Sequence, residues 1–371
     1  MQTSARDAAP TITGAPGTFA RSVIERRHPA IVGQVRVAHP YGPEQQHRLD
    51  ALVATPVLEP PPDGDPARWP DAAEWAVWLR PHRGRSWFDV PFLVAESWFY
   101  RCLLDAVAFV EPGPWQGVDP FAPLKTRELA ALPAAPERAS REALLTATVW
   151  GNQADLGFQL VADPDAGRHE ALLVDESPAL WQLLDRGGLR VAWVCDNAGR
   201  ELVADLLLVD RLLTDGLAAA VTLHLKPRPH FVSDATARDL SDCLAALGDA
   251  AVAERLRSAA ADGRLGVEAD AFWCAPLELR DLPPGLAARL GAADLVVLKG
   301  DLNYRRLVGD AAWPASTAFA DVVQLPGPVA VLRTLKSDVV VGADPVVVAR
   351  LDADSPGWRS EGSRGLIQVR A

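Results

Sequence analysis

Short apolar runs separated by longer amphipathic segments dominate the second half of the chain. The apolar runs predict strands at 189–194, 219–225, 295–298, 329–332 and 339–341. The amphipathic segments between them predict helices at 201–213, 235–247 and 284–290. Strands that alternate with helices along a chain are typical of a parallel sheet with helices on both faces. The pattern therefore predicts an α/β fold.

Up to residue 150 the pattern is helical instead. The segment 95–110 has one apolar helical face, formed by Trp98, Cys102, Ala106 and Phe109. Pro112, Gly113 and Pro114 end that helix. We divide the chain into a Pro- and Gly-rich disordered N-terminus at 1–20, a mostly helical N-terminal region at 21–150 and an α/β domain at 151–371.

Composition and charge limit the possible partners. The chain has 371 residues, of which 49% are apolar, so it can form a substantial core. At about 150 residues per domain, this length suggests two domains or one large one. With 37 Lys and Arg against 48 Asp and Glu, the net charge is −11. This charge, without a long basic run, argues against nucleic acid and anionic membranes as partners. A local basic pocket for a small anion remains compatible with it.

The cysteines and the N-terminus indicate a compartment. The four cysteines are Cys102, Cys195, Cys243 and Cys274. They form no CxxC pair, and three lie in apolar or helical surroundings, which is typical of buried, reduced thiols. The first residues lack the apolar stretch of a signal peptide, and charges and prolines interrupt every apolar run. We therefore expect a cytoplasmic protein.

Polar side chains follow the predicted strands at the points where the strands end. Asp196 and Asn197 follow the first strand, and Asp234 follows the second. Ligands of open α/β sheets bind beyond the carboxyl ends of the strands. Two carboxylates and an amide carbonyl suit a divalent ion such as Mg²⁺ or Mn²⁺. The same residues also fit a simpler interpretation, in which Asp196 and Asn197 form an Asx turn and Asp234 caps a helix.

Cations follow the later strands. Lys299, Arg305, Arg333 and Lys336 occur at or after the ends of the strands at 295–298 and 329–332. Basic side chains at one edge of the sheet could hold a phosphate, although each alone is more typical of a solvated surface charge. A metal ion and cations around an oxyanion are the usual apparatus of phosphoryl chemistry.

Several strings, taken in order along the chain, resemble the damage-control phosphatase family. They resemble most closely its third subfamily, which is related to acidic-residue methyltransferase-like proteins. The matching strings are Glu96–Arg101, Asp119–Phe121 with Lys125, Trp150–Asn152 with Asp155 and Leu156, Asp196–Gly199 with Glu201, Phe231–Asp234, Lys299–Arg305 and Arg333–Lys336. The last string, Arg-Thr-Leu-Lys, is similar to the RTxK signature of the subfamily.

The resemblance implies a three-layer α/β/α sandwich with a mostly parallel sheet and a helical N-terminal region. It also implies a metal-dependent phosphatase that acts on a sugar phosphate or a related phosphometabolite. The metal would be Mn²⁺, Co²⁺ or Ni²⁺, with Mg²⁺ also possible. By the same resemblance the metal ligands would be Asp196, Asn197 and Asp234. The substrate would be bound by Glu201, Asp301, Asn303, Tyr304, Arg305, Arg333 and Lys336.

The resemblance further implies that Asp196, Asp301 and Lys336 are catalytic. Lys336 and Arg305 would neutralise charge on the phosphate oxygens, and the nucleophile would be Asp196 or a water molecule on the metal. The sequence departs from the family pattern at Gln153, Gly157 and His230. The first two of these affect the expected substrate more than the expected metal centre.

Two other functions remain open at this point. One is an S-adenosylmethionine-dependent protein-glutamate or carboxyl O-methyltransferase, a name attached to relatives in the subfamily. It is disfavoured because the segment 194–199 has only one glycine for close approach of the cofactor. The other is a non-catalytic or repurposed sugar-phosphate-binding protein. The expected partner is a small phosphorylated metabolite, with no nucleic acid and no membrane. The sequence leaves the oligomeric state open.

Overall fold

Seven strands form a single sheet. The computed structural model describes residues 9–54, 57–59, 61, 68–132, 139–151, 172–355 and 357–371. The strands are β1 (Leu172–Asp175), β2 (Leu189–Val194), β3 (Ala218–His224), β4 (Leu265–Glu268), β5 (Leu295–Lys299), β6 (Val329–Thr334) and β7 (Gly365–Arg370). Their order in the sheet is β1-β7-β6-β5-β2-β3-β4. The strands from β6 to β4 are parallel, whereas β7 is antiparallel to β6 and parallel to β1. The prediction of a mostly parallel sheet is confirmed.

Helices surround the sheet and form the N-terminal region. The N-terminal helices are α1 (Phe19–Ser22), α2 (His28–Ala38), α3 (Pro43–Ala54), α4 (Ala72–Leu79), α5 (Phe92–Ala106), α6 (Ala122–Ala130) and α7 (Arg141–Trp150). The later helices are α8 (Ser177–Leu184), α9 (Arg200–Thr214), α10 (Ala237–Ala246), α11 (Ala250–Ala261), α12 (Pro284–Gly291), α13 (Gly300–Val308), α14 (Phe319–Val322) and α15 (Pro345–Asp354). A π-helical turn, Val23–Arg27, joins α1 to α2. None of the helices in the described ranges is both long and apolar enough to span a membrane.

The central strands are buried on both faces, which creates the three layers. In β2, Val191 and Trp193 belong to an apolar core shared with α9 and α11, whereas Ala192 and Val194 belong to a second core shared with α12 and α13. Successive side chains of a strand point to opposite faces, so one apolar run supplies both cores. The predicted three-layer α/β/α sandwich is confirmed.

A third apolar core lies in the helical N-terminal region, around α5. This helix begins at Phe92 and ends at Ala106, earlier than the predicted 95–110, and Ala108 after it has a φ of 60°. The predicted disorder of residues 1–20 also differs from the structure in its second half. The Ile12 amide donates to the Asp310 carbonyl and the Phe92 amide donates to the Ile12 carbonyl, so this segment joins α5 to the sandwich.

One predicted strand is absent. Residues 339–341 are buried but form no ladder, so the prediction of a strand there is wrong. Side chains satisfy this backbone instead: Arg333 donates to the Val339 carbonyl, Gln368 donates to the Val341 carbonyl, and Tyr304 Oη accepts from the Val341 amide. An apolar run predicts burial but does not specify a strand. Here buried polar side chains form the backbone hydrogen bonds that a neighbouring strand would otherwise provide.

A candidate active site beyond the strand ends

Loops from neighbouring strands meet at the carboxyl edge of the sheet. Asp196 and Asn197 follow β2 directly, and Asn197 pairs with Asp234 of the loop after β3 in an isolated antiparallel bridge. The adjacent strand β5 leads without a loop into α13, whose second residue is Asp301. Because β2 lies between β3 and β5, these three connections lie side by side.

A cavity of about 330 Å³ opens at this edge. Six of the predicted site residues line it: Asp196, Asn197, Asp234, Asp301, Arg305 and Lys336. The opposite walls come from the N-terminal helices and include Arg27 of the π-helical turn, Gln34 of α2, Glu96 of α5 and Glu128 of α6. The cavity thus lies between the sandwich and the N-terminal helices.

Asp196 is buried against the backbone at Gly300, which follows the neighbouring strand β5. A Cβ atom added at Gly300, which has a φ of +79°, would lie 1.9 Å from Asp196 Oδ2. Burial, together with the nearby Glu201 and Asp234 carboxylates, raises the pKa of Asp196 well above its ordinary value. A carboxylate in such surroundings needs a compensating cation to remain charged.

Asp234 is fixed by two lysines. Lys125 Nζ donates to the Asp234 carbonyl at 3.1 Å, and Lys226 Nζ lies 3.4 Å from Asp234 Oδ2. Burial raises the pKa of Asp234, and Lys226 opposes that rise. Asp234 does not cap α10, because Thr236 is the N-cap residue and forms a capping box with Asp239. The capping interpretation of Asp234 is therefore wrong.

Asp196, Asn197 and Asp234 fit a hard divalent ion by their chemistry. They bring carboxylate and amide oxygens to one cavity, where the nearest cation to the buried Asp234 Oδ2 is Lys226 Nζ, at 3.4 Å. Oxygen donors of this kind suit Mg²⁺ and Mn²⁺. The described ranges contain no group of three or more His, Cys, Asp or Glu side chains placed to hold a metal. Asn197 supplies the third oxygen donor beside the two carboxylates.

Asp301 is held as an anion at the cavity wall. Its Oδ1 accepts hydrogen bonds from the Arg333 guanidinium at 2.7 and 3.0 Å, from the Lys336 amide at 3.1 Å and from Ser337 Oγ at 3.0 Å. Burial alone would raise its pKa, but Arg333 and Arg305 outweigh burial and lower it. Asp301 can therefore accept a hydrogen bond from a substrate but is a poor proton donor.

The two cations predicted to bind phosphate differ in their surroundings. Arg305 donates to both carboxylate oxygens of Asp310, at 2.8 and 3.0 Å, and to Glu96 Oε2 at 2.8 Å. Its charge is thus compensated within the protein. Lys336 is half-buried and has no acidic partner among the described residues. Of the two, Lys336 is the cation available to an anionic ligand.

Arg333 and Tyr304 lie behind the cavity and do not line it. Arg333 is fully buried, donates to Asp301 and lies 4.2 Å above the Tyr304 ring. Both side chains were expected to bind substrate, but the structure uses them to support Asp301 and the 339–341 segment. The position of Arg333 at a strand end correctly placed it near the cavity. The direction of its side chain is set by Asp301, which is distant in sequence.

Glu201, Asn303 and Lys299 are also buried beneath the cavity. Lys299 forms ion pairs with Glu201 and Asp205, both at 2.9 Å, so it is not placed to bind phosphate as the sequence suggested. Asn303 Nδ2 donates to the carbonyls of Cys195 and Lys299 at 3.2 and 2.8 Å. These residues connect the strand ends to each other rather than to a ligand.

Sequence reasoning missed the residues that come from the N-terminal helices. Arg27, Gln34 and Glu128 line the cavity, yet no motif marks them. Glu96 had a signal, because it opens the Glu96–Arg101 string. His230 is buried beside the stacked rings of Tyr100 and Phe231 and does not line the cavity. Asn152, Gln153, Asp155, Leu156 and Gly157 lie outside the described residues.

The chain is similar to several known proteins. A family model described as a damage-control phosphatase ARMT1-like domain matches residues 23–351. The damage-control phosphatase ARMT1 of Danio rerio is 31% identical to this chain, in a match that covers 76% of this chain and 74% of that protein. The human protein of the same name is 30% identical, in a match that covers 77% of this chain and 76% of that protein. A crystal structure of a DUF89 family protein from Pyrococcus horikoshii covers 90% of this chain and 93% of its own at 15% identity, with a TM-score of 0.49.

Proposed function

The chain belongs to the ARMT1-like damage-control phosphatase family, and on this premise we propose that it is a metal-dependent phosphatase of a small phosphorylated metabolite such as a sugar phosphate. The observation that carries the proposal is the meeting of two buried carboxylates, Asn197 and the uncompensated Lys336 in one cavity. Carboxylates alone would repel a phosphate, and a lysine alone would bind it without activating it. Their combination suits phosphoryl transfer, in which positioning and charge neutralisation supply most of the catalysis.

Asp196, Asn197 and Asp234 would hold the metal ion, which we propose to be Mn²⁺, Co²⁺ or Ni²⁺, with Mg²⁺ as a further candidate. When bound, such an ion supplies Lewis-acid polarisation of a phosphoryl oxygen. Lys226 fixes Asp234 from behind, and Gly300 leaves room for the Asp196 carboxylate. These contacts come from neighbouring strand connections, so the donor atoms are held by the sheet rather than by one flexible loop.

Lys336 would bind the phosphate, because it lines the cavity without an acidic partner among the described residues and lies close enough to Asp196 to oppose the rise in the pKa of that carboxyl. Asp301 would accept a hydrogen bond from a substrate hydroxyl, since Arg333 keeps it ionised. Arg305 would orient Glu96 at the opposite wall. A cavity with cationic and carboxylate walls fits a ligand that carries both a phosphate and hydroxyl groups.

Phosphate release from a panel of sugar phosphates, with each of the four metals in turn, tests the proposal. We expect activity with wild-type protein and a loss of at least about a hundredfold for Asp196→Asn, because the carboxylate is needed as a metal ligand whether the nucleophile is Asp196 or a water molecule. Asp262→Asn, on an exposed turn, is the matched control and should keep full activity. The proposal fails if wild-type protein releases no phosphate with any metal, or if Asp196→Asn is as active as the control.

A further inference from the structure

The amide of Asn197 is held in one orientation by two carboxylates. Its Nδ2 donates to Asp196 Oδ2 at 2.7 Å and to Glu201 Oε2 at 2.8 Å. An amide nitrogen has two hydrogens, so both are used. The oxygen, Oδ1, therefore lies on the other side, where it accepts from Ser233 Oγ at 2.6 Å. A flipped amide would place Oδ1 against two carboxylate oxygens.

Glu201 is itself fixed by a buried lysine. Lys299 Nζ donates to Glu201 Oε1 at 2.9 Å and to the Thr148 carbonyl at 2.6 Å, and lies 2.9 Å from Asp205 Oδ1. Two of the three ammonium hydrogens are thus donated to oxygens, and the contact with Asp205 is an ion pair. Lys299 is completely buried, and its three partners come from α7 and α9. The Glu201 carboxylate is therefore anchored through one oxygen while its other oxygen faces Asn197.

Helix packing restrains Glu201 from a further direction. The end of α7 approaches the first turn of α9 so closely that a Cβ atom added at Gly151 would lie 2.7 Å from the Cα of Glu201.

A buried ion pair is weak support for stability, because desolvation offsets most of the attraction. Apolar side chains could fill this space at no greater cost. The polar arrangement is therefore better explained by what it holds than by a contribution to folding.

We propose that Glu201 and Lys299 are positioning residues, which orient the Asn197 amide so that its oxygen, rather than its nitrogen, is presented to the metal. This inference rests on the proposed metal-dependent function. It changes the role expected for Glu201 from binding substrate to fixing a ligand. Residues that orient a metal ligand typically account for about 10- to 100-fold in metal affinity or activity.

Glu201→Gln tests the proposal, with Asp205→Asn as its matched control. Lys299 only donates, so an amide introduced at position 201 has to turn its oxygen toward the lysine and its NH₂ toward the NH₂ of Asn197. The two donors repel, and Asn197 has to rotate or move. Asp205→Asn removes one negative charge from the same lysine, and Asp205 makes no hydrogen bond to Asn197 in the described structure. The two variants thus differ in their contact with Asn197.

The readout is the affinity for Mn²⁺ alone, measured by titration with electron paramagnetic resonance detection of the free ion. We expect Glu201→Gln to weaken Mn²⁺ binding by about 10- to 100-fold, and Asp205→Asn to weaken it by less than about tenfold. The unfolding midpoint is measured for each protein. Glu201→Asp is a second variant, which keeps the negative charge beside Lys299 but withdraws the carboxylate from Asn197. It should also weaken Mn²⁺ binding, and it provides the test if Glu201→Gln does not fold.

The outcomes separate this inference from the proposed function. Wild-type protein that binds none of Mn²⁺, Co²⁺, Ni²⁺ and Mg²⁺ overturns the metal centre and the inference together. If it binds one of the other three but not Mn²⁺, the same comparison of variants is made with that metal. Wild-type protein that binds Mn²⁺ while both Glu201 variants bind it equally well overturns only the positioning role. Equal losses in Glu201→Gln and Asp205→Asn, with parallel falls in unfolding midpoint, also overturn it, since the two acids would then only stabilise the fold through Lys299.

Discussion

The carboxylate of Asp196 occupies the space that a side chain at position 300 would need, so this position requires glycine. Gly300 has a φ of +79°, and an added Cβ atom would overlap Asp196 Oδ2 at 1.9 Å. The left-handed conformation costs a non-glycine residue about 1–2 kcal/mol. The overlap is a separate effect, because it would displace the carboxylate itself. Backbone strain and site geometry can therefore be tested apart.

Gly300→Ala is expected to lower stability and to abolish most phosphatase activity, since the new methyl group would push Asp196 out of place. Gly188→Ala is the control, because Gly188 has a φ of +68° with no atom within 4 Å of the added Cβ. Both variants should lose about 1–2 kcal/mol in denaturant unfolding from the backbone conformation. Only Gly300→Ala should also lose activity and Mn²⁺ affinity. If the control loses as much activity, the close approach to Asp196 is irrelevant.

At the same scale, sequence reasoning found some site residues and misplaced others. Asp196 and Asp234 could be grouped because parallel strands bring their carboxyl ends to one edge. Lys299 and Arg333 share that edge, yet they turn inward, toward Glu201 and Asp301 respectively. A strand-end position does not specify whether a cation faces a ligand or a buried acid. That choice depends on pairings between distant parts of the chain.

At the scale of elements, the strands that the apolar pattern located are those buried on both faces. β2 occurs at the predicted 189–194, and β5 extends the predicted 295–298 by one residue. β1, β4 and β7 were missed, since β1 and β4 are short edge strands and β7 has the polar Gln368 in its centre. The antiparallel direction of β7 depends on pairing with β6, which a local pattern cannot reveal.

The N-terminal helices pack through aromatic residues that include a histidine. His28, at the start of α2, stacks on Phe99 of α5 with ring centroids 3.7 Å apart and an interplanar angle of 2°. Trp87 and Tyr100 contact its ring edge-on. Neither ring nitrogen has a hydrogen-bond partner among the described residues. Burial and the adjacent Arg27 lower the pKa of His28 to about 3.

The packing of α2 on α5 should therefore weaken in acid. The unfolded chain takes up a proton on His28 below the ordinary histidine pKa of about 6.5, whereas the folded chain does so only near pH 3. The contribution of neutral, buried His28 to stability is therefore complete above pH 6.5 and is lost as the pH falls. By about pH 5 the loss from this group is about 2 kcal/mol. Denaturant unfolding at about pH 7.5 and about pH 5 measures this effect. Between these two pH values, His28→Phe should lose less free energy of unfolding than wild type.

His47→Phe is the control for that comparison, because His47 lies on the exposed side of α3. We expect its loss of stability between the two pH values to match the loss in wild type. The carboxylates that titrate in the same range are common to all three proteins and cancel in the comparison. An equal loss in His28→Phe and wild type would show that the ring is not buried in its neutral form.

At the scale of the molecule, the cavity is completed only where two bodies of structure meet. The sandwich supplies the carboxylates and Lys336, and the N-terminal helices supply Arg27, Gln34 and Glu96. Tyr100 of α5 stacks on Phe231 of the loop after β3, with centroids 4.6 Å apart, which joins the two bodies beside the cavity. The helical region could be predicted from sequence, but its contribution to the site could not, because no pattern links it to the strand ends.

The net charge of −11 and the cavity have opposite effects on an anionic substrate. Most acids are spread over a surface where charges more than about 10 Å apart are screened at 0.1 M salt. Lys336 and Arg27 line the cavity and have no acidic partner in the described part of the chain, so they act at short range. We therefore expect local cations, and not the overall charge, to determine how well a phosphorylated metabolite binds.

Arg27→Gln and Arg26→Gln separate these two effects. Each substitution makes the net charge more negative by one, and the two residues are adjacent in the π-helical turn, but only Arg27 lines the cavity. Loss of a partly exposed cation costs up to about 1 kcal/mol, so Arg27→Gln should raise KM for the phosphorylated substrate by up to about fivefold with kcat nearly unchanged. Arg26→Gln should leave both constants as in wild type. Steady-state kinetics at about 0.1 M salt decide between the effects, since an equal rise in KM for both variants would mean that the charge of the whole molecule governs binding.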